Sequence, residues 1–291
     1  MTMSKINHLK AIAVVAHPKV PDAASEAELI ATFLKKKGLK AAHGSLYDGE
    51  LRHRVEAGEY DLLIALGGDG TMLRAGHLCA PHNIPVLGIN LGRFGFLMEF
   101  GREQWQQMIP QLIEGKYWLE RRMMLRCEHW QDKDMQGYWD VLNEAVVGRG
   151  EIVRPVHLTA YVDGRFLTTY VADALIAATP TGSTAYALAA GGPILPPDLR
   201  NILLVPVAPH LSVDRPIVLA EGSAVSITVF TDHQAILCPD GQSPIALKSG
   251  DQVTVRSSDY TVQFVRFQDP GYFYRNLTPH MNQNPSTGTQ R

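Results

Sequence analysis

The residue types best suited to chemistry gather at Gly67-Gly68-Asp69-Gly70-Thr71, directly after the apolar run Leu62-Leu63-Ile64-Ala65-Leu66. Five apolar residues closed by a glycine pair read as a buried strand entering a sharp turn. Met72, Leu73, Ala75 and Leu78 continue as a helix that Thr71 is expected to cap. Glycines let a backbone approach a ligand, and the N–H groups of a helix start favour an anion. A carboxylate among such donors would repel a phosphate, so Asp69 is suited either to hold a cation or to take a proton from a hydroxyl. The alternative is a plain strand-to-helix turn with Asp69 as its cap. Neither common phosphate loop is present: G-x-x-x-x-G-K-[S/T] is absent, and residues 67–70 cannot be written as G-x-G-x-x-G.

A second group lies about a hundred residues on. After the apolar stretch at 174–178, Thr181, Ser183 and Thr184 bring hydroxyls and backbone donors to the expected start of an Ala-rich helix ended by Gly191-Gly192. Such a turn suits the phosphate or ribose oxygens of a nucleotide, and Tyr186 adds a ring with a polar tip. The structural alternative is an over-capped helix packed through its alanines. Ser183 is no hydrolase nucleophile by pattern, since residues 181–185 do not fit G-x-S-x-G. Upstream, Asn143-Glu144 place an amide and a carboxylate at a strand end, suited to a purine edge and a ribose; by default such a pair is solvated. His157, His210 and His233 are scattered without ligand spacing, and no metal ligands can be named.

The elements that must position these groups change character along the chain. Residues 11–16, 39–45, 62–66 and 85–90 read as strands. Between the first two runs a helix with a Ser25–Glu28 capping box, the apolar face Leu29, Ile30, Phe33 and Leu34, and a stop at Gly38. Strands alternating with helices predict a doubly wound parallel sheet, in which ligands bind at the carboxyl ends of the strands, where Asp69 and Asn90 fall. Beyond Trp118 the segments are short and β-rich: 123–130, 138–147, 158–162, 166–171, 225–230, 235–238, 252–256 and 262–267, with Asp163-Gly164 as a hairpin turn. The predicted fold class is therefore α/β plus β: an α/β domain over 1–118, a mainly antiparallel domain over 119–268, and a C-terminal segment over 269–291 whose polar stretch from Asn276 onward is expected to be a flexible tail.

Composition sets the outer bounds. The chain has 291 residues, 45% hydrophobic and 19% charged, with a formal net charge of −2 and no charge block. That supports a sizeable core and argues against a nucleic-acid binder, which would normally show a basic face. Three separated cysteines without a C-x-x-C pair argue against a disulfide framework or structural zinc. There is no apolar leader and no run long enough for a membrane span, so the expectation is a soluble cytoplasmic protein.

Taken in order, residues 67–71, 88–97, 143–144 and 179–193, followed by His210-Leu211-Ser212 and Arg215-Pro216-Ile217-Val218, resemble the signature of the NAD kinase family across roughly residues 11–267. The glycine-aspartate motif alone would also admit lipid kinases and phosphofructokinases; the run at 179–186 points to the NAD branch. The resemblance implies transfer of the γ-phosphoryl of ATP, or in some members of polyphosphate, to the 2′-hydroxyl of the adenosine ribose of NAD, giving NADP with Mg²⁺ or another divalent metal. By resemblance Asp69 is the catalytic base, and Gly67, Gly68, Gly70 and Thr71 frame the phosphoryl donor. Phe96, Asn143, Glu144, Asp173, Thr181, Ser183, Thr184, Ala185 and Tyr186 form the NAD site, with Asp173 near the nicotinamide. The resemblance also implies a homodimer or homotetramer assembled through the β-rich domain. Three features depart from the family pattern: alanines at 172 and 174 flank Asp173, residues 272–277 match the family's closing helix poorly, and position 97 is Leu. The rival functions are a lipid kinase, for which no amphipathic basic stretch is visible, and a dinucleotide sensor, which would have no need of a base.

Overall fold

The computed structural model describes residue 6 and residues 9–92, 95–210 and 213–282. The chain forms two compact units, one of residues 1–121 with 262–291 and the other of residues 122–261. The first is thus discontinuous, unlike the single span of 1–118 expected from sequence.

In the first unit, β1 (Ala11–Ala16), α1 (Ala23–Lys36), β2 (Lys40–Ser45), α2 (Gly49–Glu56), β3 (Leu62–Gly67), α3 (Asp69–Cys79), β4 (Val86–Asn90), β5 (Phe100–Gly101) and α4 (Trp105–Ile113) follow in order. The strands lie parallel in the order β4-β3-β1-β2, and β5 pairs parallel with the end of β4. Strands β1, β3 and β4 are buried along their whole length, as a parallel sheet covered on both faces requires. Ile12, Val14, Leu62, Ile64 and Leu66 pack on Ile30 and Leu34 of α1 and on Trp105 and Ile109 of α4. On the other face, Met72 of α3 lies so close to Gly88 that a methyl group there would come within 2.7 Å of its sulfur.

Two capping expectations are corrected. The N-cap of α1 is Asp22, so Ser25 sits inside the helix and bonds back to the Asp22 carbonyl rather than forming a box with Glu28. Helix α3 begins at Asp69 with Gly68 as N-cap, which places Thr71 one turn inside, where its N–H donates to the Gly68 carbonyl. Helix α2, capped by the Asp48 carboxylate on the N–H groups of Glu50 and Leu51, has no counterpart in the sequence reading; its charge-rich eight residues carry little periodic signal.

The chain leaves the first unit within β6 (Trp118–Gln131) and continues through β7 (Asp134–Val141), β8 (Glu144–Arg149), β9 (Val156–Val162), β10 (Arg165–Ala172), β11 (Ala174–Ala178), the single-turn α5 (Tyr186–Ala189), β12 (Asn201–Val207), β13 (Ile217–Ala220), β14 (Val225–Phe230), β15 (Ala235–Pro239) and β16 (Ile245–Leu247). It returns within β17 (Gln252–Arg266) and ends, among the described residues, in α6 (Tyr272–Asn282). In the second unit β10, β9, β14 and the first part of β17 form one antiparallel sheet, and β13-β12-β11-β8-β15-β16 form another. Residues alternate along β11: Leu175 and Ala177 join the core shared with Leu158, Ala160, Ile227 and Val253, while Ile176 and Ala178 pack against Ala187 and Leu195. The Asp163-Gly164 hairpin has positive φ at both residues, as its dipeptide predicts.

Strands 138–147 and the pair 252–256 and 262–267 were expected as one strand and two; they are instead split at Leu142-Asn143 and fused through residues 257–261. Helix α6 replaces irregular chain over 276–282, and residues 283–291 lie outside the described residues. No helix among the described residues is long and apolar enough to cross a membrane.

Candidate active site

The glycine turn of the first unit owes its shape to close packing at the end of β3. Gly67 pairs with Asn90 across the parallel ladder, and its carbonyl accepts the N–H of Leu91. A side chain at position 67 would overlap the Thr71 hydroxyl, and one at position 95 would overlap the Asp69 carboxylate. Glycine is therefore needed at both places for room rather than for a left-handed conformation. The Asn90 side chain is spent on the local turn: its amide donates to the Gly92 carbonyl at 2.7 Å.

Asp69 is held from a distance in sequence. Its Oδ2 accepts the backbone N–H of Phe96 at 2.9 Å and its Oδ1 that of Leu97 at 3.0 Å. Both oxygens thus accept amide N–H groups from residues 96 and 97, which help set the carboxylate plane, and Asp69 is half-buried. Phe96 thus meets Asp69 through its main chain, a contact its sequence position did not reveal. Arg93 and Phe94, part of the matched block at 88–97, lie outside the described residues, as do Leu211 and Ser212.

In the second unit, antiparallel registry brings two predicted groups together. Glu144 opens β8 opposite Ala178, the last residue of β11, so Asn143-Glu144 lie beside residues 179–184. The Asn143 carbonyl accepts the Thr179 N–H at 2.8 Å, and a methyl group on Gly182 would overlap that same carbonyl. The hydroxyls expected to meet a ligand are directed inward. Ser183 is fully buried, with its hydroxyl donating to the Pro180 carbonyl at 2.6 Å and accepting the Leu195 N–H at 2.9 Å. The Thr181 hydroxyl accepts from Arg122 at 3.1 Å, and that of Thr184 donates to the Thr181 carbonyl at 3.2 Å. The Ala-rich helix is a single turn, too short for a helix-dipole argument, and Tyr186 at its start is 43% exposed.

Sequence reasoning missed Asp240. It follows β15, whose end pairs with Ala145, and its carboxylate accepts the N–H groups of Leu142, Asn143 and Glu144 at 2.6, 2.8 and 2.8 Å. Its only local signal is the dipeptide Asp240-Gly241, a turn in which both residues have positive φ. Asp240 also acts on Glu144. Burial first, and the Asp240 charge second, push the Glu144 carboxyl up to about 8, against a smaller opposing effect of the Tyr186 N–H. Among the described residues Glu144 Oε2 is buried without a hydrogen-bond partner.

Asp173 is placed apart from this cluster. It stands at the start of β11, five residues or roughly 17 Å of strand from Ala178, and pairs with Arg149 at 3.1 Å. Within one chain, then, it does not join Glu144. Gly148 admits the approach, because a methyl group there would come within 2.7 Å of the Asp173 carbonyl.

An anchored carboxylate on a glycine turn at the carboxyl ends of parallel strands stands where open α/β sheets bind their ligands. Comparison with known proteins specifies the class. Residues 50–117 match the model of the ATP-NAD kinase N-terminal domain and residues 142–267 that of the ATP-NAD kinase C-terminal domain. The NAD kinase of Chloroflexus aggregans is 39% identical over 276 residues, covering 95% of this chain and 100% of that protein. That of Heliobacterium modesticaldum is 41% identical over 235 residues, covering 80% of this chain and 82% of its own. Among solved structures, yeast NADH kinase complexed with NADH is similar with a TM-score of 0.84 at 25% identity, covering 98% of this chain and 91% of that one. An NAD kinase from Archaeoglobus fulgidus in complex with ATP gives 0.74 at 26% identity, covering 93% and 98%. The chain belongs to the NAD kinase family.

Proposed function

We propose that this chain phosphorylates NAD, transferring the γ-phosphoryl of ATP to the 2′-hydroxyl of the adenosine ribose with Asp69 as general base. The observation that carries the reading is the two-point grip of the Phe96 and Leu97 amides on the Asp69 carboxylate. A base must be aimed before it can accept a proton, and phosphoryl transfer depends mostly on alignment and charge stabilisation. In this reading residues 67–71 frame the phosphoryl donor, and Asn143, Glu144, Thr184, Ala185 and Tyr186 line the dinucleotide site. Thr181 and Ser183 support that site by shaping the turn, and Asp173 serves the nicotinamide end in a neighbouring copy's pocket.

A divalent ion, when bound with the nucleotide, neutralises phosphate charge. Among the described residues no three His, Cys, Asp or Glu side chains cluster as a metal site. Mg²⁺ commonly keeps several waters and binds largely through substrate phosphates, a mode that does not draw on Asp69, which in this reading serves as the base.

Assembly through the β-rich unit is supported by its exposed apolar side chains, among them Phe166 at 63% and Phe230 at 49%. The deciding experiment is NADP formation from NAD, ATP and Mg²⁺, read through a strictly NADP-dependent dehydrogenase, with Asp69→Asn alongside. General-base help is worth roughly 10²–10⁴-fold, so the variant should bind NAD and lose turnover by that factor. Wild-type protein that binds NAD without forming NADP from ATP or polyphosphate would instead be a dinucleotide sensor.

A further inference from the structure

The loop that grips Asp69 is itself held by an ion cluster that the proposed chemistry does not use. Arg266, near the end of β17, is fully buried. Its Nη1 donates to the Leu97 carbonyl at 3.2 Å and to Glu99 Oε2 at 2.9 Å, and its Nε donates to Glu120 Oε2 at 2.9 Å. The Tyr272 hydroxyl, from α6, donates to Glu120 at 2.9 and 3.0 Å, and the guanidinium lies over the Tyr272 ring at 5.0 Å. Glu99 Oε1 accepts the Phe267 N–H at 2.7 Å. All of these groups belong to the first unit.

Stability does not explain the arrangement. A buried ion pair commonly does no better than apolar residues of the same volume. What the cluster does provide is a backbone pinned on both sides of Leu97: its N–H is on Asp69 and its carbonyl is on Arg266. The guanidinium reaches that carbonyl and both carboxylates from a rigid planar fork; a flexible ammonium would supply the charge without that fixed geometry.

We propose that Arg266, braced by Glu99, Glu120 and Tyr272, is a positioning residue for Asp69, fixing Leu97 and through it the amides that aim the carboxylate. The inference rests on the reading of Asp69 as base. It also gives the C-terminal helix a part in catalysis through Tyr272.

The test compares Arg266→Lys, Tyr272→Phe and Asp69→Asn by kcat, by KM for NAD and ATP, and by thermal unfolding. Arg266→Lys keeps a cation between the carboxylates, and Tyr272→Phe keeps the ring while removing one hydroxyl. Misplacement of a reacting group by about 1 Å can cost roughly 10²-fold. The expected result is a kcat lowered by about that factor in Arg266→Lys, and by a smaller factor in Tyr272→Phe, with both KM values within about two-fold of wild type. A purely structural role would lower the melting temperature and yield while leaving kcat per folded molecule unchanged, and that result refutes the inference. If Arg266→Lys does not fold, Tyr272→Phe decides by the same split. Loss of turnover in Asp69→Asn with full kcat in the other two refutes the positioning role alone; full turnover in Asp69→Asn refutes the base and the positioning role together.

Discussion

Replacing Glu144 with Gln should make the protein more stable at high pH while leaving it nearly unchanged at low pH. The Glu144 side chain is buried, its Oε2 has no hydrogen-bond partner among the described residues, and Asp240 lies close enough to repel its charge. Burial and that repulsion raise the carboxyl from 4.5 to about 8. Between those values the folded protein keeps a proton that the unfolded chain releases, so stability falls as pH rises across the window and levels off above it. At about 1.4 kcal/mol per pH unit, full ionisation takes about 5 kcal/mol from the folded state, an upper bound because water drawn to the new charge relieves part of it. Glutamine reproduces the protonated acid, with an oxygen for the Tyr186 N–H and an amide where Oε2 stands, and it cannot ionise. Urea unfolding of both proteins at pH 5.5, 7 and 9 reads the effect, since titrating groups that do not interact with Glu144 cancel in the difference, leaving only Glu144 with its coupled neighbours Asp240 and Cys238. The variant should gain on wild type steadily, reaching at least about 2 kcal/mol at pH 9. Parallel curves, or a variant that loses ground as pH rises, would show that Glu144 ionises normally and that the burial argument is wrong.

Two further substitutions test the two sites separately. Gly95→Ala places a methyl group on the Asp69 carboxylate; kcat should fall by roughly 10²-fold with a melting temperature near that of wild type, as measured by the NADP assay and calorimetry. Asp240→Ala strands the three N–H groups of Leu142, Asn143 and Glu144. The expected cost is about 2–5 kcal/mol of stability with a raised KM for NAD and an unchanged KM for ATP, and equal changes in both KM values would contradict the assignment.

The amino-acid sequence by itself determined the strand, the glycine turn and the carboxylate at Leu62 to Thr71, because a buried run and a glycine pair act over a few residues. It likewise determined the alternation of the first unit, the hairpin at Asp163-Gly164, and the blocks that carry the family resemblance. Tertiary structure decided what those residues touch. The amides on Asp69 come from 27 and 28 residues away, and the carboxylate that holds Asn143-Glu144 comes from nearly a hundred. Ser183 had the composition of a ligand contact but is buried by the Leu195 segment packing over it. Residues 276–282 had the composition of a tail but are helical, and Tyr272 ties the start of that helix to Glu120. Local sequence carries backbone preference and hydrophobic period, whereas hydrogen-bond partners, burial and the resulting shift of Glu144 depend on which distant segments the fold brings into contact.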